Sequence, residues 1–377
     1  MRAKVLSILG TRPEVIKLAP VIRAVEAHAR LQSVVCATGQ HREMLDLALD
    51  VFDIQPDFDL DLMQPGQQLS DLTARVVQSV TQTLREVRPD FLLVQGDTTT
   101  PMAAALASFY EEIPVGHVEA GLRTGDLRNP FPEEMNRRVI ATLTTLHFAP
   151  TAGARAALLR EGVLDSTIFV TGNTVIDALQ QTVASEPDYV PNPGQRILVT
   201  AHRRESFGPG FEALCLGLRL VALRNPDIEL LYPVHLNPQV REPVSRLLGD
   251  LPNVRLVDPL DYRTFVRAMR DATLIITDSG GVQEEAPSLG KPILVMRETT
   301  ERPEGVDAGA AILVGTDPRR IMVECERLLH NRSAYARIAP VDNPFGDGHA
   351  GARIASAVAH WLGGDPAEIR LGETRSA

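Results

Sequence analysis

Thr277-Asp278-Ser279-Gly280-Gly281-Val282-Gln283-Glu284-Glu285-Ala286-Pro287-Ser288-Leu289-Gly290-Lys291-Pro292 decides the fold. The apolar run Leu274, Ile275 and Ile276 just before it reads as a buried strand. Asp278-Ser279-Gly280-Gly281 is then a turn, with two glycines where a backbone bends or is closely approached. Val282 to Leu289 is predicted to be a helix, stopped by Gly290-Lys291-Pro292, and Ile293 to Met296 a second strand. A helix that starts after a strand presents free N–H groups and the positive end of its dipole, which suits an anion. Glu285, six residues past Ser279, is placed to accept hydrogen bonds from two neighbouring hydroxyls. Phosphate at the turn and a ribose diol on that carboxylate would describe a nucleotide. A bare Ser-Gly-Gly is more often a capped turn with Glu285 on a solvated face. The acidic pair Glu284-Glu285 in a small, apolar helix, and Arg302 beyond the next strand, weigh towards the nucleotide.

The same strand–turn–helix unit recurs from the start of the chain. Val5 to Leu9 is a strand, Gly10-Thr11-Arg12-Pro13 a turn, and Glu14 to about Ala27 a helix whose first turn suits Pro13. Arg12 and Lys17 are cations at this edge. They are two solvated bases or, because open α/β sheets bind ligands past their strand ends, part of a site. Strands follow at Val34 to Ala37, Phe91 to Val94, Val115 to Val118, His147 to Ala149 and Ile168 to Val170. Helices of ten or more residues separate most of them, which argues for a parallel sheet covered on both faces. Asp97 and Glu119 fall just past two of these strands, and Glu133 opens a helix after Asn129-Pro130-Phe131-Pro132. Singly, Asp97 reads best as a helix cap and Glu133 as a carboxylate favoured by a helix dipole. Together, three like charges on one rim repel and perturb one another, and such groups are candidates for acid and base work.

Ser185 to Gly194, with three prolines, is the candidate linker, and Arg196 to Thr200 restarts the pattern. Ala201-His202-Arg203-Arg204 follows that strand as Gly10-Thr11-Arg12 follows the first, either as a diphosphate contact or as a solvated loop. Gly346-Asp347-Gly348-His349-Ala350-Gly351 has dinucleotide spacing but follows Asn343-Pro344-Phe345 rather than a strand. It is predicted to open a terminal helix, Ala350 to Leu362. No cluster of His, Cys and acids has metal-ligand spacing, so no metal and no cofactor are expected.

The 377 residues are enough for two domains, and 44% hydrophobic with 23% charged residues is ordinary for a globular protein. A net charge of -10 opposes general nucleic-acid binding without excluding a local anion site. Three widely spaced cysteines, Cys36, Cys215 and Cys325, form no disulfide framework. With no signal-peptide core and no apolar run of membrane-spanning length, a cytoplasmic protein is expected.

These residues resemble the non-hydrolysing UDP-N-acetylglucosamine 2-epimerase family over nearly the whole chain. The likeness lies in Gly10-Thr11-Arg12-Pro13-Glu14, Gln40-His41-Arg42, Gly96-Asp97-Thr98-Thr99-Thr100, Gly116 to Thr124, Pro132-Glu133-Glu134, Gly172 to Asp177, His202-Arg203-Arg204-Glu205 and Asp278-Ser279-Gly280-Gly281 with Glu284-Glu285. The resemblance implies an α/β protein of two Rossmann-like domains facing across a cleft, GT-B-like, and a homodimer. It implies a first domain over 1–184, a UDP-binding domain over 185–355, and a C-terminal helix, 356–377, packing back on the first domain. By the same likeness Ser279, Gly280, Gly281, Glu285, Arg302, Arg12, His202 and Phe265 hold UDP-GlcNAc or UDP-ManNAc. Asp97, Glu119 and Glu133 form the acid–base set, with His202 catalytic and Lys17 in the site. Gln40, His41, Arg203 and His235 match an allosteric site of some relatives.

For that substrate, C2 carries a C–H bond with no adjacent carbonyl, so its proton is not acidic. The expected route is loss of UDP from C1 as C2 loses its proton, giving a 2-acetamidoglucal, followed by re-addition. Competing readings are a glycosyltransferase of the same architecture, a hydrolysing epimerase and a non-catalytic nucleotide-sugar sensor.

Overall fold

A computed structural model of the chain describes residues 2–39, 42–63, 66–191, 195–203, 207–339 and 342–364. The chain forms two compact units: Met1–Gln180 with Gly346–Ala377, and Gln181–Phe345.

The first unit is built on a seven-stranded sheet of β1 (Ala3–Leu9), β2 (Leu31–Ala37), β3 (Phe58–Asp59), β4 (Phe91–Gln95), β5 (Val115–Val118), β6 (Leu146–Ala149) and β7 (Ile168–Val170). Their order is β3-β2-β1-β4-β5-β6-β7, and every pairing is parallel. Every residue of β4 and β5 is buried, as expected of parallel strands covered by helices on both faces. Leu6, Ile8, Leu92 and Val94 meet Val76, Val80 and Leu84 of the helix Leu69–Val87 in the main core. The two-residue edge strand β3 has no sequence signal.

The second unit repeats the plan with β8 (Arg196–Thr200), β9 (Glu229–Pro233), β10 (Val254–Val257), β11 (Leu274–Thr277), β12 (Ile293–Val295) and β13 (Ala311–Leu313), ordered β10-β9-β8-β11-β12-β13. Strand order reverses direction between β1 and β4 in one sheet and between β8 and β11 in the other. Doubly wound sheets bind ligands at that switch, outside the carboxyl ends of the strands.

Three boundaries differ from the sequence reading. The helix expected over Val282 to Leu289 begins earlier, at Gly280, and is helical to Glu285. It then tightens to a 3-10 turn over Ala286–Leu289, because Pro287 removes a backbone donor. The division between units falls at Gln181, inside the helix Thr174–Ala184, ahead of the expected linker. That stretch is anchored within the second unit: Tyr189 donates to Asp271 at 2.7 Å, and the Arg270 guanidinium lies 4.7 Å from its ring centroid. Residues 192–194 lie outside the described residues.

The chain rejoins the first unit at Gly346 rather than at 356, and the returning helix is Ala350–Leu362. Its first amides, on Ala350 and Gly351, donate to the Asp177 carboxylate at 3.2 and 2.8 Å. Gly351 must be glycine, since a Cβ there would stand 2.8 Å from the Pro20 carbonyl oxygen on the helix Arg12–Ala27. Trp361 meets Phe91 edge-on at 5.6 Å. Residues 365–377 lie outside the described residues. Among the described residues, no helix is long and apolar enough to cross a membrane.

Candidate functional site

Both switch points carry the residues that the sequence singled out. In the first unit, the turn after β1 holds Gly10, Thr11 and Arg12, and the turn after β4 holds Gly96, Asp97 and Thr98. The two turns touch. A Cβ on Gly10 would lie 2.4 Å from Thr100 Oγ1. Glu14, buried, ties them together. Its carboxylate accepts from Gly10 N at 2.6 Å, Thr11 N at 3.3 Å, Thr11 Oγ1 at 2.9 Å and Thr98 Oγ1 at 2.8 Å. Burial pushes the Glu14 carboxyl up to about 7, against the lowering pull of these donors.

Asp97 does not cap the next helix, as its position past the strand predicted. Thr98 is the N-cap of Thr99–Tyr110, and Asp97 turns instead to Arg137, whose Nε and terminal nitrogen reach Oδ2 at 2.8 and 2.6 Å. Arg137 forms a stronger partner because a guanidinium supplies charge and two donors, where a helix start supplies amides alone.

Glu119 follows β5 with φ at +67°, in the left-handed region that costs a non-glycine residue roughly 1 kcal/mol or more. Its side chain is held on both oxygens by Lys17 Nζ, at 2.7 and 2.6 Å, and by Gln95 Nε2. Glu133 opens the helix Glu133–Leu143, and its Oε2 is buried without a hydrogen-bond partner. The expected mutual repulsion of three carboxylates on one rim is therefore broken up. Cations pair two of them, and the third stands at a helix N-terminus. Arg12 is the first residue of its helix and is half-buried.

In the second unit, the buried Asp278 at the end of β11 accepts from His202 N and Arg203 N, both at 2.8 Å, across the switch point from β8. The half-exposed His202 ring stacks on His235 at 5.5 Å. Arg203 pairs with Glu301 at 3.0 Å. Gln40 and His41 lie outside the described residues, so of the four candidates for a regulatory site only Arg203 and His235 are placed, beside His202.

Ser279 precedes the helix Gly280–Glu285. A Cβ on Gly280 would stand 2.6 Å from Arg302 Cζ, so any side chain there would push the guanidinium aside. Arg302, buried, passes across this glycine to reach Glu284 at 2.9 Å. Glu285 is not on a solvated face. It is buried, and Tyr262 Oη donates to its Oε1 at 2.7 Å. Phe265 is half-buried on the same helix as Tyr262, Tyr262–Asp271. Among the described residues no three His, Cys, Asp or Glu side chains come together as ligands for a metal ion.

A family model described as UDP-N-acetylglucosamine 2-epimerase matches residues 23–359. The chain belongs to the UDP-N-acetylglucosamine 2-epimerase family. It is 53% identical over 368 residues to the UDP-N-acetylglucosamine 2-epimerase of Salmonella typhimurium, covering 94% of this chain and 98% of that one. It is 54% identical over the same length to the Yersinia pestis protein of that name, with the same shares covered. The crystal structure of UDP-GlcNAc 2-epimerase from Neisseria meningitidis bound to UDP-GlcNAc superposes with a TM-score of 0.90 at 45% identity, covering 94% of this chain and 99% of that one.

For a member of the 2-epimerase family, several residues around these turns escaped the sequence reading. Glu14 did carry a signal, since Thr11-x-x-Glu14 has the spacing of a capping box. Gln95, His117, Arg137 and Asp278 were given no role of their own, because each acts on a partner more than 20 residues away. His117 is buried and neutral: burial holds its imidazole down to about 4, and Nε2 meets the Gly96 carbonyl at 2.8 Å.

Proposed function

We propose that the chain interconverts UDP-N-acetylglucosamine and UDP-N-acetylmannosamine by eliminating UDP and adding it back. In the first step a carboxylate takes the C2 proton, the C2–H electron pair forms the C1=C2 double bond, and the C1–O bond breaks with its pair going to UDP. In the second step a proton arrives at C2 on the opposite face and a UDP oxygen re-forms the bond to C1. Atoms balance and no redox partner is needed. Two of Asp97, Glu119 and Glu133 supply the base and the acid. Arg12, His202, Arg302 and the Ser279-Gly280-Gly281 turn stabilise the departing diphosphate. Glu285 takes the ribose, and Phe265 packs on the nucleotide.

The observation that carries this reading is Glu119. Its carboxylate is gripped on both oxygens by Lys17, on a left-handed backbone residue, one strand from the Asp97–Arg137 pair. Strained backbone and buried ion pairs together mark a place where charge is held for use rather than for stability.

Turnover in deuterated water tests it. Deuterium is expected at C2 of both epimers, read by proton NMR and mass. Interconversion without deuterium at C2 would end the elimination route.

A further inference from the structure

We propose that Arg137 is a positioning residue that fixes the Asp97 carboxylate relative to the helix carrying Glu133, and that its effect on turnover passes through Asp97. The proposal rests on the reading of Asp97 and Glu133 as acid–base groups.

Arg137 lies on the helix Glu133–Leu143, four residues after Glu133, so the two share one helix face. Its Nε and a terminal nitrogen both reach Asp97 Oδ2, at 2.8 and 2.6 Å, which leaves Oδ1 outside the fork. The remaining nitrogen reaches Glu134 Oε2 at 3.2 Å. Glu134 is wholly buried and is fixed in turn by Thr124 N at 3.1 Å and Gly125 N at 3.3 Å.

The same helix also holds the Asp97 backbone. Asn136 Nδ2 donates to the Asp97 carbonyl at 2.8 Å. His117 takes the carbonyl of the residue before, Gly96, at 2.8 Å. The aspartate is thus set by side chain and main chain from one helix, and one of its oxygens is left for chemistry. A lysine reaches a carboxylate as a point charge, whereas the planar guanidinium dictates where the carboxylate lies. That geometric duty is what distinguishes a positioning residue from a simple counter-charge.

The experiment is a double-mutant cycle of Arg137→Lys with Asp97→Asn, with Arg137→Met as a harsher companion. Arg137→Lys keeps the charge and the stem but gives up one of the two carboxylate contacts, so it is expected to fold with a modestly lowered melting temperature. Its kcat is expected to fall about tenfold, and that of Arg137→Met about 100-fold, the cost of roughly 1 Å of misplacement. KM and the Kd for UDP should stay within about twofold, and Arg137→Lys should cost nothing further in the Asp97→Asn background. Additive losses in the double variant, a loss confined to KM or melting temperature, or wild-type kcat in Arg137→Lys would overturn the proposal. Failure of the underlying reading shows separately, as a wild-type enzyme that turns over without placing deuterium at C2.

Discussion

Lys17 and Glu119 are 102 residues apart in sequence, yet the Lys17 ammonium sits 2.7 and 2.6 Å from the two oxygens of the Glu119 carboxylate. Their side chains are 12% and 6% exposed, so water does little to screen the pair. Removing one partner of such a pair leaves the other charge buried and uncompensated. Lys17→Met is expected to destabilise the chain by about 3 kcal/mol, read by urea unfolding. Glu119→Gln keeps the shape and is expected to cut kcat about 100-fold while sparing the Kd for UDP, measured by calorimetry. Wild-type turnover in that variant would remove Glu119 from the chemistry.

Glu14 gives the chain a pH dependence with a definite sign. Its carboxyl is pushed from the ordinary 4.5 up to about 7 in the folded state. Between those pH values the folded chain keeps a proton that the unfolded chain has released, so stability falls as pH rises through the window and levels off above 7. The size is about 3 kcal/mol. Glu14→Gln removes the titration. Its stability relative to wild type is expected to rise by that amount from pH 4 to pH 8, read from urea midpoints. Parallel pH profiles for the two proteins would contradict this.

Gly280→Ala places a methyl 2.6 Å from Arg302 Cζ, which must then move off Glu284. Breaking a hydrogen bond between charged groups is worth about 1.5–3 kcal/mol. UDP is expected to bind roughly tenfold more weakly or worse in this variant, with kcat at saturation less affected. Unchanged UDP affinity would separate Arg302 from the nucleotide.

Tyr262→Phe removes the phenol that donates to the buried Glu285 carboxylate. Losing that one hydrogen bond to a carboxylate costs about 1.5–3 kcal/mol. Lower urea stability is expected, together with weaker binding of UDP if Glu285 serves the ribose. Loss of stability with full UDP affinity would confine Tyr262 to the core.

Sheet strands were legible because a parallel strand is covered on both faces, so Leu274-Ile275-Ile276 and Phe91 to Val94 stand out as apolar runs. The edge strand Phe58–Asp59 pairs on one side only and has no such run. Asp97, Glu119 and Ser279 were legible because each sits immediately past a strand. What each side chain does there was not. Local rules turned Asp97 into a helix cap, whereas its true partner, Arg137, lies 40 residues on. Glu285 was open between a solvated face and a ligand, and burial against Tyr262 closed the first option. Composition carries no record of which distant turns will meet, so the pairing of Lys17 with Glu119 and of Arg137 with Asp97 became visible only in three dimensions.

The return of the chain at Gly346 has a consequence for biosynthesis. Helix Ala350–Leu362 belongs with residues made hundreds of codons earlier, and its Gly351 seats on Pro20. Segments usually fold in the order in which the ribosome releases them. Here Gln181–Phe345 is complete before the last helix of the older unit has emerged, so the part begun first is finished last. Chains cut short before residue 350 would keep Gln181–Phe345 whole and leave the first unit without the helix Ala350–Leu362.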